Sequence, residues 1–160
     1  MAYMKMIENR SKKDDKLPKV YIFDSLFYSA LKSCPKDKYD TMQCWIKGDL
    51  FSCDMIIIPI HLENHWCLAV INLPENPEAF NVIEYYDSLG EKNEDCEKKL
   101  LSYFSHVIRD KNWIFESKYQ KGASIQHDGS ACGVFICQFA DYAARGAKID
   151  FKQEDIPLLP

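Results

Sequence analysis

The chain has 160 residues, 28% of them charged and 47% hydrophobic, and a formal net charge of −4. That length fits one domain, residues 1–160, large enough to bury about two-thirds of its unfolded surface. No apolar run approaches the roughly 20 residues of a membrane span, and acids and bases are mixed along the chain, which excludes the basic footprint of a nucleic-acid binder.

Seven cysteines are present: Cys34, Cys44, Cys53, Cys67, Cys96, Cys132 and Cys137. The number is odd and no C-x-x-C pair occurs, which argues against a zinc site or a dithiol redox motif. Met1 to Met6 lacks the apolar core of a secretory signal. Reduced thiols in the nucleus or cytoplasm are expected.

Tyr3, Met6 and Ile7 fall at helical spacing over residues 2–10, with no N-cap before them, as though the chain begins partway into a helix. A charged linker from Ser11 to Lys19 leads to a short extended piece, Val20 to Phe23. Asp24 is placed to cap a helix through Leu31 that Cys34-Pro35 stops. Tyr39, Met42 and Ile46 suggest a second short helix ending near Gly48. Met55-Ile56-Ile57-Ile58-Pro59-Ile60 is a continuous apolar run, as in a strand covered on both faces. Trp66–Leu73 and Phe80–Tyr86 are two further strands, joined by a turn around Asn76. Asn93 can cap a long amphipathic helix carrying Cys96, Leu100, Phe104 and Ile108. Trp113–Glu116 is a fourth long-strand candidate, and a last helix runs from about Ala131 towards Gly146. The tail from Asp150 to Pro160 shows no periodicity.

Gln126-His127-Asp128-Gly129-Ser130-Ala131-Cys132-Gly133 places a thiol where a polar turn enters the last helix. Backbone N–H groups and the helix dipole favour a thiolate at such a position. By itself this is equally a helix cap followed by a core cysteine. The hairpin of the second and third long strands supplies more. With its turn centred on Asn76, His65 faces Asp87, with Cβ atoms roughly 4.5–5.5 Å apart. A surface contact would explain such a pair taken singly. His61 and His65 would lie roughly 13 Å apart along a strand, so no metal site is expected. His106 and His127 have no evident carboxylate partner. Taken together, Cys132, His65, Asp87 and Gln126 form a complete nucleophilic set: thiol, base, orienting carboxylate and amide donor to an oxyanion.

These residues carry a resemblance. Asp54 to Leu62, His65-Trp66-Cys67-Leu68-Ala69-Val70, Tyr85-Tyr86-Asp87-Ser88-Leu89-Gly90 and Gln126 with Gly129 to Phe135 are similar to the catalytic domain of the SUMO-specific (sentrin-specific, or ubiquitin-like-protein-specific) cysteine proteases. The resemblance implies a papain-related α+β fold, a central mixed sheet flanked by helices, with the nucleophile at a helix N-terminus. It implies a thiol protease that cleaves after the C-terminal Gly-Gly of SUMO, maturing the precursor or releasing SUMO from lysines. Cys132 would be the nucleophile, His65 the base, Asp87 its orienter and Gln126 the oxyanion donor. Trp66 would cover the tunnel for the Gly-Gly tail, with Phe23 and Trp45 near bound SUMO or the tunnel mouth. SUMO and SUMO-conjugated proteins are the implied partners of a monomer that needs no cofactor. Ala131 stands where the family usually has Asp, so a local hydrogen bond is expected to be missing. The family's Trp-Leu-Asn-Asp segment and final helix are absent, so a shortened domain is expected. The residues also leave open a protease for another ubiquitin-like modifier, a SUMO-binding module without activity, and acyl transfer through a Cys–His–Asp site.

Overall fold

A computed structural model describes residues 2–76, 78–109, 112–118 and 125–158. Five strands form one mixed sheet in the order β1-β2-β3-β4-β5. They are β1 (Val20–Ile22), β2 (Met55–Leu62), β3 (His65–Asn72), β4 (Asn81–Tyr86) and β5 (Trp113–Ser117). The outer pairs, β1 with β2 and β4 with β5, run parallel; β2–β3 and β3–β4 are antiparallel hairpin pairs.

Both faces of the sheet are covered, as the unbroken apolar run of β2 requires. Ile56, Ile58 and Ile60 of β2, Cys67, Ala69 and Ile71 of β3, and Ile83 and Tyr85 of β4 face one core. There they meet α2 (Phe27–Ser33), α3 (Glu94–Val107) and the 3-10 helix Lys36–Trp45. The intervening residues Ile57, Leu68, Val70 and Tyr86 face the other core, under α1 (Ala2–Lys13) and α4 (Cys132–Ala144). Asn93 caps α3 as expected, its Oδ1 accepting the N–H of Cys96 at 2.9 Å. Arg10 of α1 donates to Asp141 of α4 at 2.7 Å, tying the two helices of the second layer together.

Four sequence expectations need correction. Ser11 to Lys13 continue α1 instead of starting a linker. Ser11 is buried because its hydroxyl donates to Pro18 O at 2.5 Å and accepts from Val20 N at 2.9 Å. Asp24 caps a turn two residues too early for α2: its Oδ1 takes the N–H of Leu26, and Leu26 itself is the N-cap, without a side-chain bond. The second short helix is 3-10, which brings Tyr39 and Met42, three residues apart, onto one buried face. The tail folds as well, into a 3-10 helix over Gln153–Leu158.

β1 covers only Met55 to Ile57 of β2. The carbonyl of Ile57 accepts from Phe23 N at 2.9 Å, so odd-numbered residues of β2 direct their backbone groups towards β1. Pro59 therefore turns its missing N–H away from β3 and costs that ladder no bond.

Candidate active site

The β3–β4 hairpin places the first pair of groups. Its register pairs Leu68 with Tyr86 and Asn72 with Val82, so facing residues sum to 154. The sequence expectation of 152 was off by one pair. Because the shift is even, every side chain stays on its predicted face. Continued to the strand end, Asp87 lies opposite Cys67, and His65 becomes its diagonal neighbour. An imidazole spans that diagonal: His65 Nε2 lies 2.7 Å from Asp87 Oδ1. The side chain of Asp87 is 5% exposed and that of His65 18%. With Nε2 held by the carboxylate, Nδ1 is the nitrogen left to exchange a proton with a thiol.

Asp87 is held on three sides. Its Oδ1 also accepts the N–H of Leu89 at 2.8 Å, and its Oδ2 accepts from the Cys67 thiol at 3.5 Å. Burial, reinforced by the neighbouring Asp87 charge, pushes the pKa of Cys67 far above the usual thiol range, so the thiol stays protonated and can donate. His65, Cys67 and Asp87 bring three possible metal-binding atoms within 4.8 Å of one another. A protonated thiol already donating to the carboxylate makes a poor ligand set, because a metal needs the thiolate. His61 is not where the sequence argument put it. A turn at Glu63-Asn64 folds the strand back, so His61 faces Trp66 across the β2–β3 pair, and the two rings lie 4.4 Å apart at 32°.

The second half of the site comes from the turn before α4. Gln126 is buried, its backbone N–H donating to Ser88 O at 2.7 Å and its Oε1 accepting from Ser88 Oγ at 2.8 Å. Ser88 directly follows Asp87, so the amide and the carboxylate share one short segment of backbone. Gln126 Nε2 donates to Asp128 O at 2.6 Å. Asp128 Oδ1 in turn accepts the N–H groups of Ser130 and Ala131, each at 2.8 Å. Those two backbone donors hold the Asp128 carboxyl below the usual carboxylate range. Ala131 is the N-cap of α4, with no capping side chain of its own, and its methyl packs into the second core. No side-chain bond is made from position 131, and Asp128, three residues upstream, accepts the N–H of Ala131. That carboxylate leaves the N–H of Cys132 out of its network.

Cys132 is the first residue of α4 and is 7% exposed. α4 packs across β3. At their junction, a Cβ added to Gly133 would lie 4.0 Å from Cδ1 of Trp66, the residue after His65. Cys132 and His65, the neighbours of Gly133 and Trp66 in the chain, thus flank one contact. Burial pushes the thiol of Cys53 up to about 11 and that of Cys96 up to about 12, and raises that of Cys137.

Trp66 is partly buried beside α4. Phe23 is 2% exposed and stacks on Phe27 at 4.0 Å, so it forms the wall of a groove more than a contact surface. That groove, of about 740 Å³, also receives Trp45, Tyr21 and residues of α1. His106 does have a carboxylate partner: its Nε2 lies 2.8 Å from Asp40 Oδ1, joining α3 to the 3-10 helix. Sequence spacing could not show that pair, which lies 66 positions apart. Gln153 was also missed. Its amide accepts from His127 N at 2.9 Å and donates to Asp128 Oδ2 at 3.0 Å.

Comparison with known proteins agrees with this architecture. The model of the Ulp1 protease family, C-terminal catalytic domain, matches residues 1–159. A sentrin-specific protease of Caenorhabditis elegans is 35% identical over 164 residues, covering 97% of this chain and 22% of the relative. Human sentrin-specific protease 2 is 33% identical over 165 residues, covering 98% of this chain and 26% of the relative. The chain thus spans about a quarter of the length of these relatives. Among solved structures, the Chaetomium thermophilum Ulp1-like SUMO protease catalytic domain superposes with a TM-score of 0.70 at 26% identity, covering 98% of this chain and 63% of that one. The yeast Ulp1 protease domain in complex with Smt3, the yeast ortholog of SUMO, gives a TM-score of 0.71 at 23% identity, with 96% and 69% covered.

Proposed function

The chain belongs to the Ulp1 protease family, and from that premise we propose that it is a cysteine protease cleaving after the C-terminal Gly-Gly of SUMO. The observation that carries the mechanism is the 2.7 Å bond between His65 Nε2 and Asp87 Oδ1. It fixes the imidazole with Nδ1 available and places a negative charge where a protonated ring gains from it. Cys132 gives its proton to His65, and its sulfur attacks the carbonyl carbon of the terminal glycine. The carbonyl oxygen takes up the negative charge, facing the N–H of Cys132 and the amide of Gln126. As the C–N bond breaks, His65 returns the proton to the departing lysine or peptide amine. Water then hydrolyses the thioester with His65 again as base, releasing the SUMO carboxylate and the thiol.

Gln126 Nε2 donates to Asp128 O at 2.6 Å and to Asp128 Oδ1 at 3.3 Å, and serving the oxyanion would mean exchanging the longer of these two bonds for the substrate oxygen. Trp66, partly buried over the start of α4, suits a glycine tail because a flat indole leaves little room for a Cβ. Phe23 and Trp45 would support the SUMO surface from the groove beside α1.

The test offers the chain two probes, SUMO and ubiquitin, each ending in an electrophile in place of the scissile bond. A single adduct from SUMO, mapped to Cys132 and absent in Cys132→Ala, supports the reading. An adduct from ubiquitin alone redirects the activity to another modifier. A folded chain that binds SUMO without labelling would make it a binding module instead.

A further inference from the structure

We propose that Gln153 is a positioning residue: from the C-terminal 3-10 helix it clamps the turn that presents the nucleophile, through both ends of its side-chain amide. This rests on the reading of Cys132 as the nucleophile. The turn from Gln126 to Ala131 is organised around Asp128. One oxygen of that carboxylate takes the N–H groups of Ser130 and Ala131, and its main-chain carbonyl takes the Gln126 amide. The other oxygen takes a donor from outside the turn, Gln153 Nε2 at 3.0 Å. The acceptor end of the same amide holds the N–H of His127 at 2.9 Å. Thus Gln153 grips both residues that follow the oxyanion donor.

The clamp is anchored on the helix that Cys132 opens. Two residues before Gln153, Phe151 is buried, its ring 5.5 Å from Phe135, 5.3 Å from Phe139 and 5.4 Å from Tyr142 of α4. The turn is therefore fixed relative to α4 at both of its ends: covalently at Cys132, and through Gln153 at His127 and Asp128. An N–H and a carboxylate oxygen side by side call for one acceptor and one donor in a single side chain, which an amide supplies. A carboxylate in its place would keep the bond to His127 but set a second negative charge against Asp128. Position errors of about an ångström at a reacting group cost large factors in rate, so a turn held at one end only should lower turnover more than substrate affinity.

The experiment compares Gln153→Ala and Gln153→Glu with the unaltered chain on SUMO bearing a C-terminal fluorogenic amide, from pH 5.5 to 8.5. Gln153→Ala should lower kcat about tenfold, the equivalent of one hydrogen bond to a charged group, with KM within about twofold of the parent. Its activity relative to the parent should not vary with pH. Gln153→Glu should be worse than Gln153→Ala at pH 8.5, and should recover relative to the parent as pH falls and the two carboxylates share a proton. A ratio independent of pH for Gln153→Glu, or an unchanged kcat for Gln153→Ala, would overturn the proposal. Amide hydrogen exchange reads the clamp without turnover. Exchange should rise at His127, Ser130 and Ala131 in Gln153→Ala while Phe139 stays protected; unchanged exchange there would overturn the clamp even in an active enzyme. A parent chain inert to the SUMO probe would instead sink the activity reading, with exchange left to decide the clamp.

Discussion

Asp87→Asn removes one charge from the site and leaves nearly every atom in place. Leu89 N–H requires an acceptor at the Oδ1 position, 2.8 Å away, so the amide oxygen is expected there, still 2.7 Å from His65 Nε2. The amide nitrogen then faces Cys67 Sγ, which can accept weakly. Geometry is kept, and what disappears is the attraction between a carboxylate and the imidazolium that the proposed proton transfer from Cys132 would create. Two unit charges about 4 Å apart interact by about 4 kcal/mol at an effective dielectric of 20. Water reaching the imidazole, whose side chain is 18% exposed, brings this to about 3 kcal/mol. That corresponds to roughly a hundredfold in kcat. The assay is steady-state hydrolysis of SUMO with a C-terminal fluorogenic amide, with circular dichroism and a melting curve to show that the variant is folded. KM should stay within about twofold, because a side chain this buried has no direct contact to offer SUMO. A folded Asp87→Asn protein with kcat within threefold of the parent would refute the role given to this carboxylate.

Three further outcomes follow from particular contacts. Cys67→Ser keeps a donor opposite Asp87 and should retain kcat within about threefold, whereas Cys67→Ala loses it and should fall further, by about three- to tenfold, in the same assay. The Asp128 carboxyl should titrate below its ordinary 3.8 when followed by its own carbon resonance. With fewer protons bound in the native state than in the unfolded one, its contribution to the turn is complete above about pH 3.8 and is lost as pH falls through the native midpoint; a midpoint at or above 3.8 would contradict the hydrogen bonds to Ser130 and Ala131. Tyr103 is fully buried and its hydroxyl has no hydrogen-bond partner among the described residues. Tyr103→Phe should therefore be neutral or raise the melting temperature, and a loss of more than about 1 kcal/mol would reveal a partner.

Local signals carried much of the fold. The Ile-rich run of β2 told its own burial on both faces, Asn93 announced α3, and the apolar segment after Cys132 marked α4. The His65–Asp87 pairing was legible from parity alone: an error of one pair in the hairpin turn moves the partner along the strand but not through the sheet. What the sequence could not show is what arrives from far away. Cys67 becomes a partner of Asp87 only once the register is known to the residue. Gln153 lies in a segment without periodicity, and its meaning depends on Phe151 docking on α4. Nothing in the spacing shows that the Asp128 carboxylate folds back onto the N–H groups of Ser130 and Ala131. His106 and Asp40 meet only after α3 folds over a 3-10 helix that spacing arguments treat as α.

Pro59 has a consequence for how this chain lives among its own copies. The segment from Ile58 to Leu62 lies past the end of β1, with no described strand on that side. An apolar extended segment of this kind is a template on which a second chain can lay itself down, most of all while the protein is still folding. In the folded chain Ile58 to Ile60 are buried, so this edge can be reached by another chain only before the fold closes, and there Pro59, the first odd-numbered residue beyond β1, offers no N–H. The same proline that costs the sheet nothing should thus deter sticking between molecules. Pro59→Val is a change that would leave the native ladder whole and give an intruding strand the donor it lacks, so its harm would surface as precipitation during refolding, not as a lower melting point.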